Sequence, residues 1–127
     1  MTATSTQDIR NIALVGHGAT GKTTLADLLL FKAKAVTRLG SVDDKTSVFD
    51  SDDDEKERKS SITSSIGHCV CHGKRITIID TPGYPDFIGQ VVGAMDAVET
   101  AIIVISATAG VEIGARRAFE IARAEGH

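Results

Sequence analysis

Gly16, His17, Gly18, Ala19, Thr20, Gly21, Lys22 and Thr23 follow the pattern G-x-x-x-x-G-K-[ST]. Glycines at these spacings let successive backbone N–H groups turn toward one phosphate oxygen, and a following helix adds partial positive charge at its N-terminus. The lysine reaches the outer phosphates of a polyphosphate, and the Thr23 hydroxyl is placed for Mg²⁺. The plain alternative is a glycine-rich turn with a surface lysine. Context decides against it, because an apolar run precedes the pattern and a helical run follows it.

A second group, Asp80-Thr81-Pro82-Gly83, closes another apolar run. An acid at that point can hold Mg²⁺ through water, and the Gly83 amide can donate to a γ-phosphate. Alone these four residues are a good turn sequence. Beside the first motif they read as the second half of a polyphosphate and Mg²⁺ site.

The elements that must position these groups follow from hydrophobic period and turn residues. Residues 9–15 form a short apolar run ending at a glycine, which predicts a buried parallel strand. After the loop, Leu25, Leu28, Leu29, Lys32 and Val36 fit one helix face, with Gly40 as a stop. Residues 43–59 hold eight acids and four bases. With no sustained apolar period, they read as a long mobile loop. Residues 66–72 and 75–80 are two strands joined at Gly73, a hairpin. Both prolines fall in the turn at 81–85. Phe87, Val91, Met95 and Val98 fit a second helix, and residues 101–105 a third parallel strand. Residues 112–125 form a helix with Ala115, Ala118, Phe119 and Ala122 inward, closed by Gly126. The order β-α-loop-β-β-α-β-α predicts an α/β fold: a mostly parallel sheet with helices on both faces.

The 127 residues allow one domain, and 42% apolar with 24% charged residues excludes disorder throughout. A net charge of −3 excludes the wholly basic surface that grips DNA or RNA nonspecifically. No apolar run is long enough to span a membrane, and the polar first residues lack a secretory signal. Two cysteines make no disulfide framework, so a cytoplasmic location is the default. Strand alternation sets Cys69 and Cys71 on one side and His68 and His72 on the other, so these four do not converge on a metal. They read as two small core cysteines and flanking histidines. The acid run Asp52, Asp53, Asp54 and Glu55 reads as a solvated loop, and His17 as structural.

Taken together, the loop at 16–23, the acidic stretch ending in Glu57-Arg58-x-x-Ser61-Ile62-Thr63, and Ile78-Ile79-Asp80-Thr81-Pro82-Gly83 resemble the GTPase domain of translation elongation factor G. Tyr84 and Ser106-Ala107-x-x-Gly110-Val111-Glu112-Ile113-Gly114 are similar to the divergent elongation factor G-like subgroup. The resemblance runs from residue 9 to residue 127, with residues 1–8 as an N-terminal tail. It implies the three-layer fold of phosphate-loop nucleotide hydrolases, truncated after the fourth strand and its helix.

By that resemblance Gly16, His17, Gly18, Ala19, Thr20, Gly21, Lys22, Thr23 and Thr24 bind GTP or GDP. Thr23, Ser61 and Asp80 surround Mg²⁺, with Thr63 as the alternative to Ser61. Asp80 and Gly83 form the second switch, and Lys22, Gly83 and Tyr84 take part in hydrolysis. The implied partner is the ribosome, its RNA and protein, met through a longer protein. Three positions depart from the family pattern. Tyr84 stands for the histidine that positions the attacking water, Gly18 for an apolar gate, and Ala19 for an acid. The guanine-reading N-K-x-D motif has no counterpart, so residues 9–127 are expected to be part of a larger domain.

Three functions compete at this point. One is a ribosome-associated GTPase. Another is a nucleotide-dependent binding module with little hydrolysis, because Tyr84 replaces the histidine. The third, an unrelated phosphate-loop kinase or ATPase, fits the Asp80-to-Gly83 turn poorly. Residues 100–106, apolar on both faces and without Pro or Lys, are an edge expected to favour self-association.

Overall fold

The computed structural model of the chain describes residues 5–49 and 62–127. Its strands are β1 (Ile9–Gly16), β2 (Ser65–Cys71), β3 (Lys74–Asp80) and β4 (Thr100–Val104). Its helices are α1 (Lys22–Lys32), α2 (Ile88–Met95) and α3 (Ile113–Glu125), with short 3₁₀ turns at Thr6–Asp8 and Pro85–Phe87. The sheet order is β2-β3-β1-β4. β1 runs parallel to β3 and β4, whereas β2 is antiparallel to β3. This is the expected α/β architecture. The β2–β3 connection has room only for His72 and Gly73, both with positive φ (48° and 77°). Positive φ at both central residues defines the tight hairpin turn whose twist matches its strands.

Successive β1 side chains point to opposite faces. Ala13, Leu14 and Val15 are all completely buried, so both faces are covered. Ala13 and Val15 join Ile79 in a cluster with Val91, Ala94 and Met95 of α2 and Ala118 and Ala122 of α3. Leu14 and Ile78 point the other way, into a cluster with Ala26 and Leu30 of α1, Cys69 and Phe49. The result is three layers with the central strand between them. At the strand entrances, the Glu99 carboxylate accepts from the Asn11 backbone N–H (2.8 Å) and side chain (3.2 Å), fastening β4 to β1. The Asn11 N–H is also the main reason the Glu99 carboxyl titrates below its usual range.

Several expectations are corrected. α1 ends at Lys32, well before Gly40; Ala26, Asp27 and Leu30 are its buried residues, Leu25 and Leu29 pack on the same core as expected, and Leu28 is exposed. Leucines at 25, 28, 29 and 30 surround this helix, so the apolar pattern carries no clear phase. On α3, Phe119 points outward, 56% exposed. Small Ala115, Ala118 and Ala122 let that helix approach the sheet closely, which leaves no room for a phenyl ring. Cys69 is in the core, but Cys71, at the hairpin end, is exposed.

The described start of the acidic stretch is docked rather than loose. The Val48 N–H donates to the buried Asp27 carboxylate (3.0 Å), and Phe49 is 1% exposed. Gly67 of β2 makes room for that ring, since a Cβ there would lie 2.5 Å from Phe49 Cζ. Residues 50–59 of the stretch lie outside the described residues. Among the described residues, no helix is long and apolar enough to cross a membrane.

Candidate functional site

β1 delivers the chain to Gly16, whose φ of 142° and contact with the Val104 carbonyl oxygen exclude a side chain. The loop then turns through Ala19 (φ 58°) and Gly21 (φ 88°) into α1. Gly21 stands at the helix N-cap in the left-handed region, without a capping side chain. This leaves the first-turn amides of α1 at the loop, the arrangement that suits an anion.

The His17 carbonyl is the junction of the loop. It accepts from the Lys22 ammonium (2.6 Å) and from the Thr20 hydroxyl (2.9 Å). Lys22 is 6% exposed. Burial lowers its pKa, and the nearby Asp80 charge partly restores it. A buried ammonium beside a helix N-terminus is a strong anion partner.

Asp80 ends β3 opposite Leu14 of β1 and is 1% exposed. Its Oδ2 accepts from the Thr23 hydroxyl at 2.6 Å. This pair fits Mg²⁺: two hard oxygen ligands, one anionic, stand next to the phosphate loop. The turn after Asp80 is tied down by Thr81, whose hydroxyl (2.8 Å) and N–H (3.2 Å) both donate to the Leu14 carbonyl. Thr81 therefore folds Gly83 back onto the loop. A Cβ at Gly83 would lie 2.5 Å from the Gly18 nitrogen and closer still to Lys22 Nζ. Tyr84 follows, with its ring over Gly18 and 44% exposed.

The structure thus brings together Gly16 through Thr23, Asp80, Gly83 and Tyr84. Thr24 starts the exposed side of α1. Ser61 lies outside the described residues, and Thr63 is exposed just before β2, next to Ser64, whose N–H donates to Gln90 of α2 (3.2 Å). Sequence reasoning overlooked Glu112 and Gly114 as neighbours of the site. His17 Nε2 lies 3.5 Å from Glu112 Oε1, and Gly114 abuts the His17 main chain. Among the described residues, no group of three or more His, Cys, Asp or Glu side chains gathers as a metal site.

A mostly parallel sheet whose first strand feeds this loop, with an aspartate at the end of a neighbouring strand, defines a phosphate-loop fold of the GTPase type. The chain belongs to the elongation factor Tu GTP-binding domain family, which matches residues 7–127. It is 38% identical over 111 residues to an elongation factor G-like protein of Mycobacterium tuberculosis, covering 87% of this chain and 16% of that protein. It is 41% identical over 104 residues to elongation factor G of Fervidobacterium nodosum, covering 82% of this chain and 15% of that one. A crystal structure of a Thermus thermophilus protein superposes with a TM-score of 0.88 at 38% identity, over 91% of this chain and 18% of that chain. The chain therefore spans only 14–18% of the length of the curated relatives it matches.

Proposed function

We propose that this segment is the GTP-binding switch portion of a GTP-hydrolysing translation factor of the elongation factor G type, acting on the ribosome in the cytoplasm. The observation that carries this reading is the 2.6 Å contact between Thr23 and Asp80 beside a buried Lys22. It pairs a phosphate anchor with a divalent-cation anchor at one loop, as phosphoryl transfer to water requires. Relatives named elongation factor G and ribosome-releasing factor support the cellular role.

In this reading the amides of residues 16–24 wrap the GTP or GDP phosphates. Lys22 neutralises charge on the outer phosphates, and the Gly83 N–H donates to the terminal one. Mg²⁺ would be held by Thr23, by Asp80 and by Ser61 of the acidic stretch, and would neutralise phosphate charge when bound. Tyr84 stands where a water-orienting group is needed. Its hydroxyl can both donate and accept, but near neutral pH a phenol brings no positive charge.

That last point favours a second reading, a nucleotide-dependent binding module with little hydrolysis. Single-turnover GTP hydrolysis by a protein carrying this segment, with and without ribosomes, separates the two. Ribosome-stimulated turnover supports the enzyme, and GTP-dependent ribosome binding without turnover supports the module. Absence of GTP binding would overturn both.

A further inference from the structure

α3 begins at a position that normally takes a short polar residue. Ser, Thr, Asp and Asn are favoured at a helix N-cap because their side chains accept from the first free backbone N–H groups. The N-cap of α3 is Glu112, in extended backbone conformation (φ −92°, ψ 171°), and its carboxylate makes no capping hydrogen bond. It points instead to the phosphate loop, where Oε1 lies 3.5 Å from His17 Nε2.

Two further observations make this contact more than a surface ion pair. Gly114, in the first turn of α3, lets that turn touch the loop main chain: a Cβ there would lie 2.7 Å from His17 Cα and 2.9 Å from Nδ1. The other ring nitrogen, His17 Nδ1, is buried and has no hydrogen-bond partner among the described residues. Glu112 is therefore the polar group that orients this ring. The same residue's carbonyl, that of His17, gathers Lys22 and Thr20. Gly114 packs against both the ring and the main chain of His17, so the ring's orientation and the turn that holds the lysine lie under one contact.

We propose that Glu112 is a positioning residue for the phosphate loop, acting through the His17 ring to hold the backbone at 17–18 in its anion-ready turn. The proposal rests on the phosphate-binding reading of that loop. The Glu112 carboxylate, 3.5 Å from Nε2, favours a proton on that nitrogen and leaves Nδ1 in its buried position.

The test compares Glu112→Ser, Glu112→Gln and Lys22→Ala in the 127-residue chain, with inorganic pyrophosphate as the probe. Ser is a better helix cap than Glu but is too short to reach His17. Gln keeps an acceptor at the same reach. Nitrogen NMR of the His17 ring reads the tautomer, calorimetry reads pyrophosphate affinity, and thermal unfolding reads α3. We expect Glu112→Ser to unfold no earlier than the wild type, yet to show a mixed tautomer and about fivefold weaker pyrophosphate binding. Glu112→Gln should retain both. A Glu112→Ser variant with wild-type tautomer and affinity overturns the proposal. A Glu112→Ser variant that loses affinity only in proportion to lost stability overturns it too. If Lys22→Ala binds pyrophosphate as well as the wild type does, the phosphate-site reading itself fails, whereas the tautomer result still judges the Glu112 contact.

Discussion

The ring of Tyr84 lies against the main chain of Gly18, so that a Cβ at position 18 would stand 3.0 Å from Cζ and 3.1 Å from Cε1. The missing side chain and the bulky one fit each other. Because Tyr84 is the single tyrosine in a chain without tryptophan, its fluorescence reports on this contact directly. Gly18→Ala should shift the ring only slightly, since the far end of a flexible side chain can yield. Gly18→Ile should displace it and raise its accessibility to a soluble quencher. Unchanged quenching in Gly18→Ile would show that the ring does not rest there.

The same contact bears on hydrolysis. Tyr84→Phe keeps the ring over Gly18 and removes the hydroxyl. Any ribosome-stimulated GTP hydrolysis should fall by about tenfold or more, because the hydroxyl proposed to orient the water is gone, while GTP affinity stays unchanged. Tyr84→His alone should recover little, and Tyr84→His with Gly18→Ile more. Equal single-turnover rates for wild type and Tyr84→Phe would remove the hydroxyl from the mechanism.

Lys22 gives two pH trends of opposite sign. Its folded-state pKa is lowered, mainly by burial. As pH rises through that lowered value toward the ordinary lysine value, the unfolded chain holds the proton that the folded chain has lost. Stability without ligand should therefore rise over that window. Phosphate affinity should fall over the same window, because the ammonium is the proposed anchor. Lys22→Met should abolish both trends and weaken pyrophosphate binding by about tenfold to a hundredfold. Urea titrations and calorimetry across alkaline pH check this, and parallel trends would contradict it.

Phe49 is a plug between α1 and β2. Phe49→Ala should cost about 3–5 kcal/mol of stability, measured by chemical denaturation. Gly67→Ala should cost about 1–3 kcal/mol, because its Cβ meets the ring. The Val48 amide, bonded to buried Asp27, should exchange more slowly than its exposed neighbours in hydrogen–deuterium exchange. Rapid exchange at Val48 would show that the segment is not docked.

Beyond β4 the sheet has no further strand among the described residues, and Ile102, Ile105, Val111, Ile113 and Phe119 are exposed around it. The chain should self-associate through this edge at high concentration. Ile102→Lys, which places a charge on the edge, should shift sedimentation toward monomer. A wild-type chain that stays monomeric at high concentration would refute the edge pairing.

What sequence could reveal here depended on chain continuity. Gly16 to Thr23 and Asp80 to Gly83 were legible because each is a contiguous motif at the end of a strand. The hairpin at Gly73 was legible from its glycine, but His72, read as the last residue of the strand, takes a positive φ and belongs to the turn instead. The side chosen by each helix was legible in part: Val91, Met95 and Val98 and the alanines of α3 are buried as the helical period predicts. Leu28 and Phe119 look like core residues by type but are exposed, while Asp27 takes an inner position, as neighbours distant in sequence dictate. Phe49 was hidden for the same reason: its partners are Gly67 and Leu30, and the acids after it gave the whole stretch a polar character. The His17–Glu112 contact spans most of the chain and leaves no local pattern.

The pairing of Leu14 with Asp80 across β1 and β3 has a consequence for folding. Strand side chains alternate, so a slip of one residue would turn Asp80 to the opposite face, away from Thr23, and unhook Thr81 from Leu14. Only correctly registered molecules would then own the cation and phosphate anchors together. In the proposed reading, magnesium-dependent pyrophosphate binding would thus act as a proofreader of refolding. Added early, those ligands draw the population toward the native alignment by mass action, and the ligand-bound fraction counts the molecules that reached it.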